Sequence, residues 1–331
     1  MSVLQEVPVL SLRVARRSVL TPEIVMLELV PAEGGESLPA FTPGAHIALQ
    51  VTLPDGQTGW REYSLITFDP IQAAKPTSYV VAIRREQPGR GGSQYVHATI
   101  AEGDVLSVRS PRNQFELDNA THPVVLVAGG IGVTPLTGMA ALCRRTGRPV
   151  RMVYAGRSRS TLAMVSELTE MLGNQLALHI DDEAGAPLNL PALFDSLGQE
   201  DHIYCCGPLP MIDAILAEAA QRGWPRSRVH FELFSAPAHE AGDKAFEVEL
   251  AQSGQTLSVP PDKSILDVLI DAGHDPLYDC KRGECGVCAV DVLSGEIDHR
   301  DYILTDREKA AGNLMHICVS RCKSDRLVLD L

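Results

Sequence analysis

The chain has 331 residues, with 29 Lys and Arg against 42 Asp and Glu, a formal charge of −13, 45% apolar and 21% charged residues. At ~100–200 residues per domain, two or three domains are expected. The acidity excludes nucleic acid as a main partner, because that affinity comes mainly from basic side chains neutralising phosphates. The composition is that of a globular rather than a disordered protein.

Residues 1–119 read as antiparallel β. Leu10, Leu12 and Val14 alternate, as do Val25, Leu27 and Leu29, and Tyr79–Ile83 is a β-rich run. Turn signals at Thr21-Pro22, Pro43-Gly44, Pro54-Asp55-Gly56 and Pro88–Gly92 separate these runs. Short strands at close spacing imply a small barrel or sandwich.

Residues 120–235 alternate strand and helix. Val124–Val127 leads through a glycine turn into a helix reaching Arg145; Val150–Tyr154 precedes a helix through Met164 and Leu168. Ala177–Ile180 and His202–Cys205 are further strands, and Met211–Gln221 is an amphipathic helix. This is a βαβ series and hence a parallel sheet. The uncharged stretch Pro123–Cys143 is long enough to cross a membrane, but its glycines and Pro135 divide it into strand, turn and helix. The N-terminal segment has no apolar signal core, so a soluble cytoplasmic protein with no membrane partner is expected.

Residues 236–243 lack periodicity and read as a linker. Residues 244–331 return to strands around one helix, opened by Ser264 as an approximate capping box and closed near Gly273. Five of the eight cysteines fall in this last segment. Cys280-x4-Cys285-x2-Cys288, followed after 29 residues by Cys318, has plant-type [2Fe–2S] spacing. One tight loop supplies three thiolates and a distant segment the fourth. Gly283 and Gly286 let that loop wrap closely and aim N–H groups at the sulfurs. A four-cysteine zinc site is the alternative, but it usually has two close cysteine pairs. Cys322 is read as a packed thiol rather than a ligand.

Two further regions carry chemistry. In Arg61-Glu62-Tyr63-Ser64-Leu65, a strand sets Arg61, Tyr63 and Leu65 on one side, and Glu62 and Ser64 on the other. Arg61 is suited to fork onto a phosphate and Tyr63 to pack on a planar ring, with Ser64 bonding its polar edge. Gly89-Arg90-Gly91-Gly92-Ser93 is either a phosphate-holding turn or a plain hairpin, and its pairing with Arg61 favours the former. Gly129-Gly130-Ile131-Gly132-Val133-Thr134-Pro135 joins strand to helix as a pyrophosphate turn does, although Pro135 replaces the usual third glycine. Cys206-Gly207-Pro208 ends a later strand and lines the same crevice. Cys206 is either a soft thiol beside the transferring carbon or a buried structural cysteine.

In this order the three regions resemble the phthalate dioxygenase reductase family, FMN-containing reductases of Rieske oxygenases, over essentially the full chain. Phe231–Phe234 and Pro111–Phe115 add to the likeness. The resemblance implies a multidomain fold. It comprises an antiparallel β-barrel flavin domain, an α/β Rossmann-like NAD domain and an α+β plant-type ferredoxin (β-grasp) domain. It implies FMN held by Arg61, Glu62, Tyr63, Ser64, Leu65, Ala82, Ile83, Arg84, Arg90, Gly91, Gly92 and Ser93, with Phe234 stacked near the ring. It places NADH against Gly130, Gly132, Thr134, Pro135, Arg157, Ser158, Cys206, Gly207 and Pro208, with Ser64, Thr134 and Cys206 nearest the transferring atoms. Electrons are expected to pass from NADH through FMN and the cluster to a terminal Rieske oxygenase. A cytochrome P450 or other oxidase is the alternative acceptor, and a redox sensor is the alternative class. No acidic residue follows the strand ending at Tyr154, so Arg157 or Arg159 is available to a 2′-phosphate, whereas the resemblance favours NADH. Lys281 and Arg282 form either a basic docking patch or a solvated turn.

Overall fold

Apolar alternation builds the first sheet. In β1 (Val9–Thr21) and β2 (Ile24–Pro31), Leu12, Val14, Leu27 and Leu29 turn inward between more exposed neighbours. They are joined by β3 (His46–Thr52), β4 (Thr58–Ser64), β5 (Tyr79–Arg84) and β6 (Val105–Arg112). The antiparallel order is β4-β3-β6-β1-β2-β5, and its two edges meet where Leu65 bridges Val81, closing a barrel. Helix α1 (Pro70–Ala74) follows β4, and α2 (Gly92–Thr99) sends Val96 into the barrel core. The computed structural model describes residues 8–35, 37–87, 89, 91–237, 240 and 242–331.

β7 (Val124–Gly129) is buried along its whole length, as a central parallel strand must be. A 3-10 turn at Gly130–Val133 leads into α3 (Thr134–Thr146). Then come β8 (Val150–Gly156), α4 (Val165–Leu172), β9 (Leu176–Ile180), α5 (Asp181–Ala184), α6 (Leu190–Asp195), β10 (His202–Cys206), α7 (Leu209–Gln221) and β11 (Val229–Glu232). The parallel order is β11-β10-β7-β8-β9. The chain therefore builds outward from β7 on one side and then on the other, placing the topological switch point between β7 and β10. Met164, expected inside a helix, instead precedes α4 with φ of 58°. The barrel and this sheet share one core, in which Ile66, Ala82 and Phe115 join Val133, Leu136 and Met139. The chain accordingly divides into two compact units, with the break between Glu232 and Leu233.

The second unit contains β12 (Phe246–Leu250), β13 (Thr256–Val259), α8 (Ile265–Asp271), β14 (Ala289–Ser294), β15 (Ile297–Asp298), α9 (Asp306–Ala311), β16 (Leu314–His316), β17 (Arg321–Cys322) and β18 (Arg326–Leu329). The sheet order is β13-β12-β18-β14-β16, with β15 and β17 paired separately. Ser264 caps α8 by accepting the Asp267 N–H at 3.1 Å, and Ile265, Leu266 and Leu269 bury the apolar face of the helix. Asp243 is enclosed, bonded by Arg300 through two nitrogens and lying 3.6 Å from Arg321 Nε. No helix among the described residues is long and apolar enough to cross a membrane.

Candidate functional site

The loop before β14 coils because Lys281, Gly283 and Gly286 all take positive φ, at 55°, 78° and 79°. Coiling turns backbone donors inward. The N–H groups of Arg282, Glu284 and Cys285 point at the Cys280 sulfur, that of Val287 at Cys285, and that of Gly283 at Cys318. The sulfurs fall into two pairs, Cys280 with Cys285 and Cys288 with Cys318. One thiol of each pair is pushed down by its neighbour, Cys280 to about 5 and Cys288 to about 7. No three of these described sulfurs lie within 4.8 Å of one another. A single tetrahedral zinc would hold all four only ~3.8 Å apart. Two pairs and inward donors instead suit two irons, each taking two thiolates.

In the barrel, Arg61 extends from β4 across the start of α2. A Cβ added at Gly92 would lie 2.7 Å from Arg61 Cγ and 2.8 Å from its Nε. Gly91, whose φ is 81°, precedes α2 and offers no side-chain cap, so the first N–H groups of the helix stay available. A guanidinium against an open helix N-terminus fits a phosphate monoester. Ser93 Oγ accepts the Glu86 N–H at 3.0 Å, and Arg84 pairs with Glu86 at 3.0 Å. Tyr63 packs against the barrel core, and burial pushes its hydroxyl up to about 12, so it stays a proton donor. Ser64 is buried on the opposite side of the strand, and Glu62 lies 3.7 Å from His46. Leu65 and Ile83 point into the barrel core and Ala82 into the shared core, so their backbone is what they offer to a ligand. Arg90 lies outside the described residues.

The two switch-point loops touch backbone to backbone. A Cβ at Gly132 would sit 2.2 Å from the Cys206 carbonyl oxygen and 2.6 Å from Gly207 N. Gly129 would likewise strike Pro208 at 2.6 Å, while Gly130 faces open space. Thr134 donates from Oγ1 to the Ile131 carbonyl at 3.0 Å, and Pro135 sits in the first turn of α3. The Cys206 side chain is fully enclosed within the core. Of its two readings, this arrangement favours the packed one over a thiol exposed at the reacting carbon. At the end of β8, Arg157 is exposed, and Ser158 caps the next turn.

Glu183, on α5 after β9, lies 24 residues from Arg159 in sequence and is not found by local spacing. It binds Arg159 through both oxygens, at 2.5 and 2.8 Å, whereas Arg157 stands exposed on the same loop. The Asp181-Asp182-Glu183 run after a strand was its sequence signal. Lys281 lies 3.4 Å from Asp267, and Arg282 lies 2.7 Å from Glu284, so both charges are matched. Phe234 is 41% exposed and belongs to the second unit. Cys322, on β17, donates to or accepts from Ser324 Oγ at 3.1 Å and packs against the core.

Residues 248–323 match the family model described as 2Fe-2S iron-sulfur cluster binding domain, and residues 126–216 match oxidoreductase NAD-binding domain. Phthalate dioxygenase reductase of Burkholderia cepacia is 37% identical over 331 residues, covering 99% of both chains. Vanillate O-demethylase oxidoreductase of Acinetobacter baylyi is 35% identical over 313 residues, 94% of this chain and 96% of its own. A solved phthalate dioxygenase reductase, titled as a modular structure for electron transfer from pyridine nucleotides to [2Fe-2S], superposes with a TM-score of 0.72. It is 36% identical over 99% of each chain. The arrangement is therefore that of a modular oxidoreductase: an antiparallel barrel, an α/β NAD-binding sheet and an α+β [2Fe–2S] domain. The chain belongs to the phthalate dioxygenase reductase family.

Proposed function

We propose that the protein is the NADH-dependent reductase component of an oxygenase system, moving electrons from NADH through FMN and a [2Fe–2S] cluster to a terminal Rieske oxygenase. The observation that carries this is the two-by-two convergence of Cys280, Cys285, Cys288 and Cys318 under inward N–H donors. NADH supplies a hydride, FMN accepts two electrons at once, and the cluster takes one at a time.

The chain's own residues bind and orient. Arg61 and the first turn of α2 hold the FMN phosphate, and Tyr63 and Ser64 contact its ring system. Gly130 and Gly132 admit the pyrophosphate to the start of α3, with Gly207 and Pro208 as the facing wall. Thr134 keeps that helix start closed, and Cys206 packs behind the nicotinamide without taking part in bond making. Barrel residues 1–119 form the flavin module and 120–235 the nicotinamide module. The segment 236–243 joins them to the cluster module at 244–331. The described cysteines form no disulfide, which suits a reducing cytoplasm.

Anaerobic titration with NADH tests this. Flavin and cluster absorbance should bleach together, consuming about three electrons per chain. A cluster that stays oxidised overturns the pathway. Equal or faster turnover with a P450 than with a Rieske oxygenase overturns the partner.

A further inference from the structure

The chemistry above uses the C-terminal edge of the parallel sheet, whereas a group of imidazoles occupies the opposite edge. His202 opens β10 beside Val124, and His230 lies on β11 beside Tyr204. Asp118 and His122 come from the segment entering β7. The Asp118 carboxylate and one ring nitrogen each of His202 and His230 lie within 4.8 Å of one another. Nδ1 of His202 and Nε2 of His230 are 3.4 Å apart. That is long for a hydrogen bond. It matches the ~3.3 Å between two imidazole nitrogens on one tetrahedral ion with bonds of about 2.0–2.1 Å.

The surroundings hold these groups in place. Arg148 donates to Asp118 at 2.9 Å, Tyr204 stacks on His230 at 4.2 Å between ring centres, and His122 stacks on His202 at 3.3 Å. His122 Nε2 lies 3.1 Å from the Asp118 carboxylate. Partners of this kind orient metal ligands. Each proposed ligand keeps partial exposure, which leaves a path for an ion and for water.

We propose that Asp118, His202 and His230 form a binding site for one Zn2+ ion, with water in the fourth position, distinct from the cluster. Imidazole and carboxylate donors in a tetrahedral set select zinc-class ions over calcium or magnesium. Such an ion would tie β10 and β11 to the segment entering β7.

The test is zinc titration of the flavin- and cluster-loaded holoprotein by calorimetry, with absorption spectroscopy at the zinc edge. One ion is expected, with a nitrogen and oxygen shell at ~2.0–2.1 Å and imidazole outer scattering. The double variant His202→Gln, His230→Gln should weaken binding at least ~100-fold, since losing one outer partner already costs about 10–100-fold. A sulfur shell near ~2.3 Å, no bound zinc, or unchanged affinity in the double variant overturns the proposal. The wild-type spectrum decides alone if the variant does not fold.

Discussion

Gly92→Ala separates cofactor binding from folding. The new methyl carbon would lie 2.7 Å from Arg61 Cγ and 2.8 Å from Nε, against an ordinary contact near ~3.5 Å. Both atoms belong to a side chain that can swing away, so Arg61 leaves the start of α2 and the backbone stays. Gly92 is helical, and alanine is the better helix former by up to ~1 kcal/mol, so thermal stability should hold or rise. Losing a hydrogen bond from a charged donor to phosphate costs about 1.5–3 kcal/mol. At ~1.4 kcal/mol per decade, FMN binding should weaken roughly 10- to 150-fold. The assay is recovery of free-flavin fluorescence on dilution, run beside thermal unfolding. Arg61→Gln should weaken FMN to a similar degree, and adding Gly92→Ala to it should change little. Wild-type FMN affinity in Gly92→Ala, or a loss of affinity that only tracks a fall in stability, refutes the reasoning.

Cys318→Ser removes one thiolate, so the cluster bands should vanish while NADH-driven reduction of ferricyanide persists, read by absorbance and steady-state rate. Gly132→Ala sets its methyl group 2.2 Å from a backbone oxygen that cannot yield. It should raise the KM for NADH and cost about 1–3 kcal/mol in denaturant unfolding. Arg300, by its hydrogen bond and charge, holds the Asp243 carboxyl below the usual range. The charged form is thus favoured by folding, giving stability that is full above about pH 4 and lost as pH falls through the lowered value. Asp243→Asn should remove about 1–3 kcal/mol at neutral pH and flatten the acid limb of the stability curve. Arg157→Gln should lower kcat/KM for NADPH more than for NADH, because Arg159 is held by Glu183. Equal losses with both nucleotides would exclude a 2′-phosphate role.

What the sequence determined by itself was chemistry carried by neighbours along the chain. Alternation in Leu12–Val14 and Leu27–Leu29 marked barrel strands, and the run Val124–Val127 marked a strand buried on both faces. The spacing of Cys280, Cys285 and Cys288 named a cluster loop, because a tight turn brings those thiols together whatever surrounds it. Tertiary structure decided everything that needed two distant segments. Arg61 reaches Gly92 across 31 residues, and Gly132 meets Cys206 because parallel strands end side by side at the switch point. No local spacing pairs Lys281 with Asp267 of α8, or Asp243 of the segment read as a linker with Arg300. Asp118, His202 and His230 share no local pattern. They meet because β7, β10 and β11 run parallel with their N-termini at one edge, and spatial adjacency of that kind comes from strand order, which no local spacing of residues records.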